Sequence, residues 1–159
     1  IKLQPQILGG GQQRKLRSGT LNIPGIIGLG KACEIAANEY DENKNRIKLL
    51  RDKLENGLLQ FEGSFVNGNT EKRIYNTSNI CFPDVNSEQL ILGLGNISVS
   101  NGASCSSVTS EPSHVLKAMG LSDEAALSSI RFSLGRFTTS EEIDIAVKRV
   151  LELARRLRV

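Results

Sequence analysis

Thr139-Ser140-Glu141-Glu142, followed by Ile143, Val147, Val150, Leu151, Ala154 and Leu157, constrains the fold of this chain more than any other stretch. The first four residues have the form of a capping box, which starts a helix by satisfying its free N–H groups. The apolar positions then recur at spacings of three and four, so they lie along one stripe. A helix apolar on one side has to lay that side on an apolar partner. The rest of the chain must supply one.

Two kinds of partner are visible upstream. Helix is expected over residues 25–61. Ile27, Ala32, Ile35 and Ala36 form one apolar face there, and Ile47, Leu50, Leu54, Leu58 and Phe61 form another. Lys44, Lys48, Arg51 and Lys53 are read as its wet side, and Asp41-Glu42-Asn43 as the place for a bend. Short strands are expected at Phe65-Val66 and at residues 76–82, 97–100 and 129–134, the last by alternation. Between them Ser87 and Ser113 are positioned to cap short helices, and residues 101–112 read as a polar loop. Residues 4–20, with Gly9, Gly10 and Gly11 together, read as a loop as well. Strands interleaved with helices place the chain in the α/β or α+β class.

Composition removes several functions. Of the 159 residues, 39% are hydrophobic and 23% charged, which suits a globular protein. No apolar run approaches the ~20 residues of a membrane span. The formal charge of +3 comes largely from Lys148, Arg149, Arg155, Arg156 and Arg158 on the last helix. With aromatic residues at 4% and no Trp, that is a solvated helix face, and no nucleic-acid partner is expected. Three cysteines, no CxxC spacing and one histidine exclude a disulfide framework and leave no metal site expected. Reduced thiols and a cytoplasmic location fit that usage. The opening Ile1-Lys2-Leu3, without Met, reads as the interior of a longer chain.

The chemistry-bearing residues differ by their surroundings. Gly25-Ile26-Ile27-Gly28-Leu29-Gly30-Lys31 nearly spells a phosphate loop, but Ala32 stands where the hydroxyl must be. The glycines are read instead as sites of close helix packing. Cys33 and Cys81, among apolar neighbours, read as small buried hydrophobes. Cys105 lies in Gly102-Ala103-Ser104-Cys105-Ser106-Ser107, a small polar loop in which a thiol can act as a nucleophile. Arg131, in Ile130-Arg131-Phe132-Ser133-Leu134, is costly to bury unless it meets an anion, and its fork suits a carboxylate. Arg136 reads as a surface residue, and His114, opening a short helix, as structural. Arg14, Lys15 and Arg17, with Ser18-Gly19-Thr20, have the look of an anion site.

Five segments in order carry a more specific signal. They are Gly9-Gly10-Gly11-Gln12-Gln13-Arg14; Arg17-Ser18-Gly19-Thr20; Ser100-Asn101-Gly102-Ala103-Ser104-Cys105-Ser106-Ser107; Glu111-Pro112-Ser113-His114-Val115-Leu116; and residues 129–139. Together they resemble the C-terminal part of cysteine desulfurases of the NifS/IscS type, class V aminotransferase enzymes dependent on pyridoxal 5'-phosphate. The resemblance covers essentially the whole chain but well under half of a complete family member.

The resemblance implies a parent transferase, a homodimer, that converts L-cysteine to L-alanine and leaves a persulfide for a sulfur-acceptor or iron–sulfur scaffold protein in cluster assembly or thiolation. It puts Cys105 on the nucleophile and Arg131 on the grip for the substrate carboxylate. Thr20 falls on the residue that reaches the partner subunit's cofactor phosphate. It implies that residues 1–40 are the tail of a large cofactor domain with its connecting helix. Residues 41–159 would be a small domain, a short, mostly antiparallel sheet covered by helices on one side. The family's Schiff-base lysine belongs to a segment with no match here, so this chain alone is expected to be inactive. Gln13 stands where the family often has Glu, and Ala103-Ser104 inverts the usual order. Two other readings stay open: a non-catalytic module that accepts sulfur or docks a scaffold, and a selenocysteine lyase-like member of the same class.

Overall fold

The computed structural model describes residues 2–102 and 111–158. The chain divides into two compact units, Ile1–Tyr40 and Asp41–Val159.

In the first unit a loop closes on itself before a helix begins. Ile7 and Arg17 bridge in parallel, and the Ser18 N–H donates to the Ile7 carbonyl at 3.2 Å. Between them Gln13, Arg14 and Lys15 all take positive φ, from 50° to 64°, a left-handed turn that non-glycine residues adopt at a cost. The buried Ser18 hydroxyl holds the turn by donating to the Gly10 carbonyl at 2.7 Å. Helix α1 (Ile23–Asn38) then starts with Pro24 in its first turn and the Asn22 side chain accepting from the Gly25 N–H at 3.1 Å.

This helix corrects three expectations. The stretch read as one helix from 25 to 61 is interrupted at Glu39, and a second helix, α2 (Tyr40–Leu58), follows. Cys33 is exposed rather than buried, because α1 buries none of its residues. The Gly25–Lys31 run is helix from its first residue, which rules out a phosphate loop. A Cβ on Gly28 or Gly30 would meet no atom, so close packing does not explain those glycines either.

The second unit is built on a three-stranded antiparallel sheet, β1 (Phe65–Val66), β2 (Thr77–Cys81) and β3 (Ser129–Ser133), in that spatial order. Its inner face carries Ile80, Ile130 and Phe132. Against it pack α2, α3 (Ser87–Leu94) and α6 (Ser140–Leu157), through Leu54, Leu58, Leu90, Leu94, Val150 and Ala154. Phe82 sits edge-on to both Phe61 and Phe132, at 5.7 and 6.5 Å between ring centres. Removing one such buried Leu costs about 2–5 kcal/mol. The expected capping box forms: Thr139 accepts from the Glu142 N–H at 3.2 Å, and Glu142 accepts from the Thr139 N–H at 2.9 Å. α6 lies so close to α2 and α3 that a Cβ on Gly57 would come within 2.7 Å of Val147, and one on Gly93 within 2.5 Å of Leu153.

Elsewhere the second unit departs from the sequence reading. Helices are not confined to one face. The unanticipated α5 (Asp123–Leu127), capped by Ser122, lies against the outer face, where its Ala125 carbonyl accepts from Cys81 and Ser129. Asn86, not Ser87, caps α3. Residues 97–100 do not form a strand: only Ser100 pairs with β3, and residues 96–99 stand off beside a cavity of about 380 Å³. Arg51 is not on the wet side. It is 4% exposed, bound to Asp52 at 2.5 and 3.0 Å and to the Ile74 carbonyl at 3.3 Å, with buried Glu55 at 3.5 Å. Arg73 clamps that same Glu55 at 2.6 and 2.9 Å. Burial pulls the Asp52 pKa up, but hydrogen bonds from Arg51 and Lys48 outweigh it and hold the carboxyl below its usual range.

Candidate functional site

The outer face of the sheet, beyond α5, is open, and a row of polar residues crosses it. The Val66↔Ile80 pairing continues one residue further, where the Asn67 N–H donates to the Asn79 carbonyl at 2.8 Å. Asn79 lies opposite Arg131 on β3. Arg131 exchanges backbone hydrogen bonds with Ser100, at 2.6 and 3.2 Å. Directly opposed residues of antiparallel neighbours share a face. Asn67, Asn79, Arg131 and Ser100 therefore stand side by side on the outer face, while Ile80, Ile130 and Phe132 point to the core.

Asn67, Asn79 and Arg131 of this row form one wall of a cleft of about 360 Å³. Asn101 and Gly102 form its rim on one side. Ser113, Val115, Leu116 and Met119 close it from the opening of α4 (His114–Ala118), a short helix capped by the Ser113 side chain. Arg131 is exposed, which corrects the expectation that burial forces it onto an anion; it makes no ion pair among the described residues. Cys105 lies outside the described residues. Gly102 and Ser113, which both line the cleft, are the lining residues nearest to Cys105 in sequence on either side.

Cys81 and His114 do not line the cleft. Cys81 is buried under α5; desolvation pushes its thiol pKa up, the neighbouring Ser129 hydroxyl opposes this and the Asp84 charge adds to it. A thiol so placed is a poor nucleophile. His114 is exposed at the start of α4. Arg136 lies over the Phe137 ring at 4.6 Å, and its carbonyl accepts a hydrogen bond from Arg46.

Thr20 belongs to the first unit, where it is exposed at the end of the loop. The local donors are partly spent. The Ser18 hydroxyl is held by Gly10, and the Gly19 N–H donates to Gln12 at 3.3 Å. The Thr20 hydroxyl and the side chains of exposed Arg14 and Lys15 have no hydrogen-bond or ion-pair partner among the described residues. Lys15 lines a shallow cleft of about 320 Å³ with Gly9, Gly10 and Gly11.

The sequence reading missed Asn67 and Asn79. Asn67 follows the Phe65-Val66 strand and Asn79 lies inside the 76–82 strand, and the sequence singles out neither. Only the strand register brings them beside Arg131. In an extended strand neighbouring residues face opposite sides, so placing strand over residues 76–82 already sets Asn79 on the face opposite Ile80.

The aminotransferase class-V family matches residues 6–146. The cysteine desulfurase IscS of Tolumonas auensis is 49% identical over 158 residues, covering 99% of this chain and 39% of the relative. Among solved structures, a NifS-like protein is 36% identical with a TM-score of 0.85 over 99% of this chain and 40% of its own. The NifS-like protein from Rickettsia africae is 32% identical with a TM-score of 0.83 over 98% and 41%. The chain thus spans about two fifths of the length of the relatives it matches. A family match across most of its residues, joined to this likeness of fold, shows that the chain belongs to the class-V aminotransferases.

Proposed function

We propose that this chain is the C-terminal part of a pyridoxal-phosphate-dependent cysteine desulfurase. Residues 1–40 would be the tail of its large domain, and residues 41–159 its small domain. The observation that carries the reading is the cleft, where an arginine without an ion-pair partner among the described residues shares the lining with Gly102 and Ser113, the lining residues on either side of Cys105 in sequence.

Each residue has a task that its chemistry suits. Arg131 holds the L-cysteine carboxylate with its planar fork. Cys105, as thiolate, attacks the substrate sulfur. The new S–S bond forms as the substrate C–S bond breaks, and the electron pair of that bond stays with the substrate carbon, which takes a proton to become L-alanine. Cys105 is left as a persulfide, ready for a sulfur-acceptor or iron–sulfur scaffold protein. Pyridoxal phosphate, when bound, supplies the electron sink for this chemistry. The first-unit loop fits a phosphate, since the Thr20 hydroxyl, Arg14 and Lys15 stay open beside Gly9–Gly11. Thr20 is assigned to the cofactor phosphate of the homodimer partner. The parent is assigned to the cytosol, in keeping with cysteines that form no disulfide framework.

The test is a desulfurase assay on the full-length parent, following L-alanine and persulfide. The wild-type enzyme should be yellow and active, and the present chain alone colourless and inactive. Cys105→Ala should lose cysteine desulfuration on the order of a thousandfold or more. Full activity in that variant would overturn the reading. Retained turnover of selenocysteine alone would move the parent to the lyase class.

A further inference from the structure

We propose that Asn79 is a second carboxylate donor beside Arg131, and that Asn67 and Ser129 are positioning residues that aim it. The inference deepens the reading of Arg131 above and rests on it.

The directions of the hydrogen bonds carry the argument. Ser129 has one hydroxyl proton, and it donates that proton to the Ala125 carbonyl at 2.6 Å. Only a lone pair is left to face Asn67. Asn67 must therefore turn its amide nitrogen toward Ser129, and it does so at 2.9 Å. The same nitrogen donates its other proton to Asn79 Oδ1 at 2.6 Å. With its oxygen held on the Asn67 side, Asn79 turns its NH₂ group away from Asn67, and Arg131 is its neighbour across the strand pair. That NH₂ has no acceptor among the described residues.

The relay thus runs from the α5 carbonyl through Ser129 and Asn67 and ends on two N–H donors in the cleft. Arg131 adds only donors. A wall offering a guanidinium and an amide NH₂ suits an anion with two oxygens at a fixed angle, which is a carboxylate. The chain also gives something up for this arrangement: Asn67 Oδ1 is buried and has no partner among the described residues. An amide pair serving only to join strands would not leave an acceptor unmade on one side and donors unused on the other.

The test uses the full-length, cofactor-loaded parent, with L-alanine as a probe that offers the carboxylate without the reactive sulfur. Its Kd, from equilibrium dialysis, is read beside the KM for L-cysteine. Asn79→Ala should raise both about tenfold, with kcat nearly unchanged. Asn79→Asp should raise them further, because a carboxylate of the same size still accepts from Asn67 but engages Arg131. Ser129→Ala should have a smaller effect of the same kind, which Ser129→Thr reverses. A structural role predicts the opposite order, the near-isosteric Asp milder than Ala, and that order overturns the proposal. An unchanged Kd in Asn79→Ala while Arg131→Ala weakens binding overturns the relay alone. An unchanged Kd in both overturns the relay together with the reading of Arg131.

Discussion

Arg51 and Arg131 both belong to the second unit, which uses them in opposite ways. Arg51 is enclosed, and its donors are consumed by Asp52 and the Ile74 carbonyl, with Glu55 beside it. Arg131 spends both backbone groups on Ser100 and lies opposite Asn79 in the register, while its side chain faces an open cleft. One arginine is saturated by its own chain; the other is rigidly mounted and left to bind something else. Preorganised but unspent donors distinguish a binding site from a structural network.

The sharpest way to break that contrast is to remove each side chain in turn. Arg51→Ala leaves the Ile74 carbonyl without its donor and buried Glu55 with Arg73 alone, and should cost about 1–3 kcal/mol in urea unfolding of the chain. A loss below 1 kcal/mol, the scale of an exposed pair, would mean the network is not structural. Arg131→Ala should leave stability within about 0.5 kcal/mol. In the full-length enzyme it should instead raise the KM for cysteine through the loss of about 2–5 kcal/mol of charged hydrogen bonding. An unchanged KM would take Arg131 out of the substrate site.

The thiols extend the same contrast between packed and open surface. Cys81 should be the slowest to react with a thiol reagent, since burial and a raised pKa both protect it. Cys33 should react faster, and Cys105 fastest of the three. Equal rates, followed by peptide mapping, would contradict the assignment of Cys105 to a reactive loop.

The smallest effect concerns acid. The Asp52 pKa is lowered in the fold from its ordinary 3.8, so its contribution is present above that value and fades as pH falls through the lower, folded one. Asp52→Asn should therefore flatten the loss of stability below about pH 4. An unchanged acid slope would show that the Arg51 and Lys48 contacts do not favour the charged form.

Local signals in the sequence were strong where structure is local. The capping box at Thr139 and Glu142, the stripe of α6 and the alternation of β3 each depend on residues a few positions apart. Arg51 was misread because helical periodicity marks a face but not the partners that reach it: Glu55 is one turn away, whereas Ile74 comes from a distant loop. α5 was missed because five residues give too short a period to detect, although Ser122 is a sound cap. The Asn67–Asn79–Arg131 row joins three strands, and no pattern within one strand could reveal it.

The most direct test of the account is where the sulfur goes. Full-length enzyme exposed to L-cysteine, digested and mapped by mass spectrometry, should gain one sulfur atom on the peptide carrying Cys105 and none on those carrying Cys33 or Cys81. Turnover with no sulfur on Cys105, or with the sulfur on either of the other two, would contradict it.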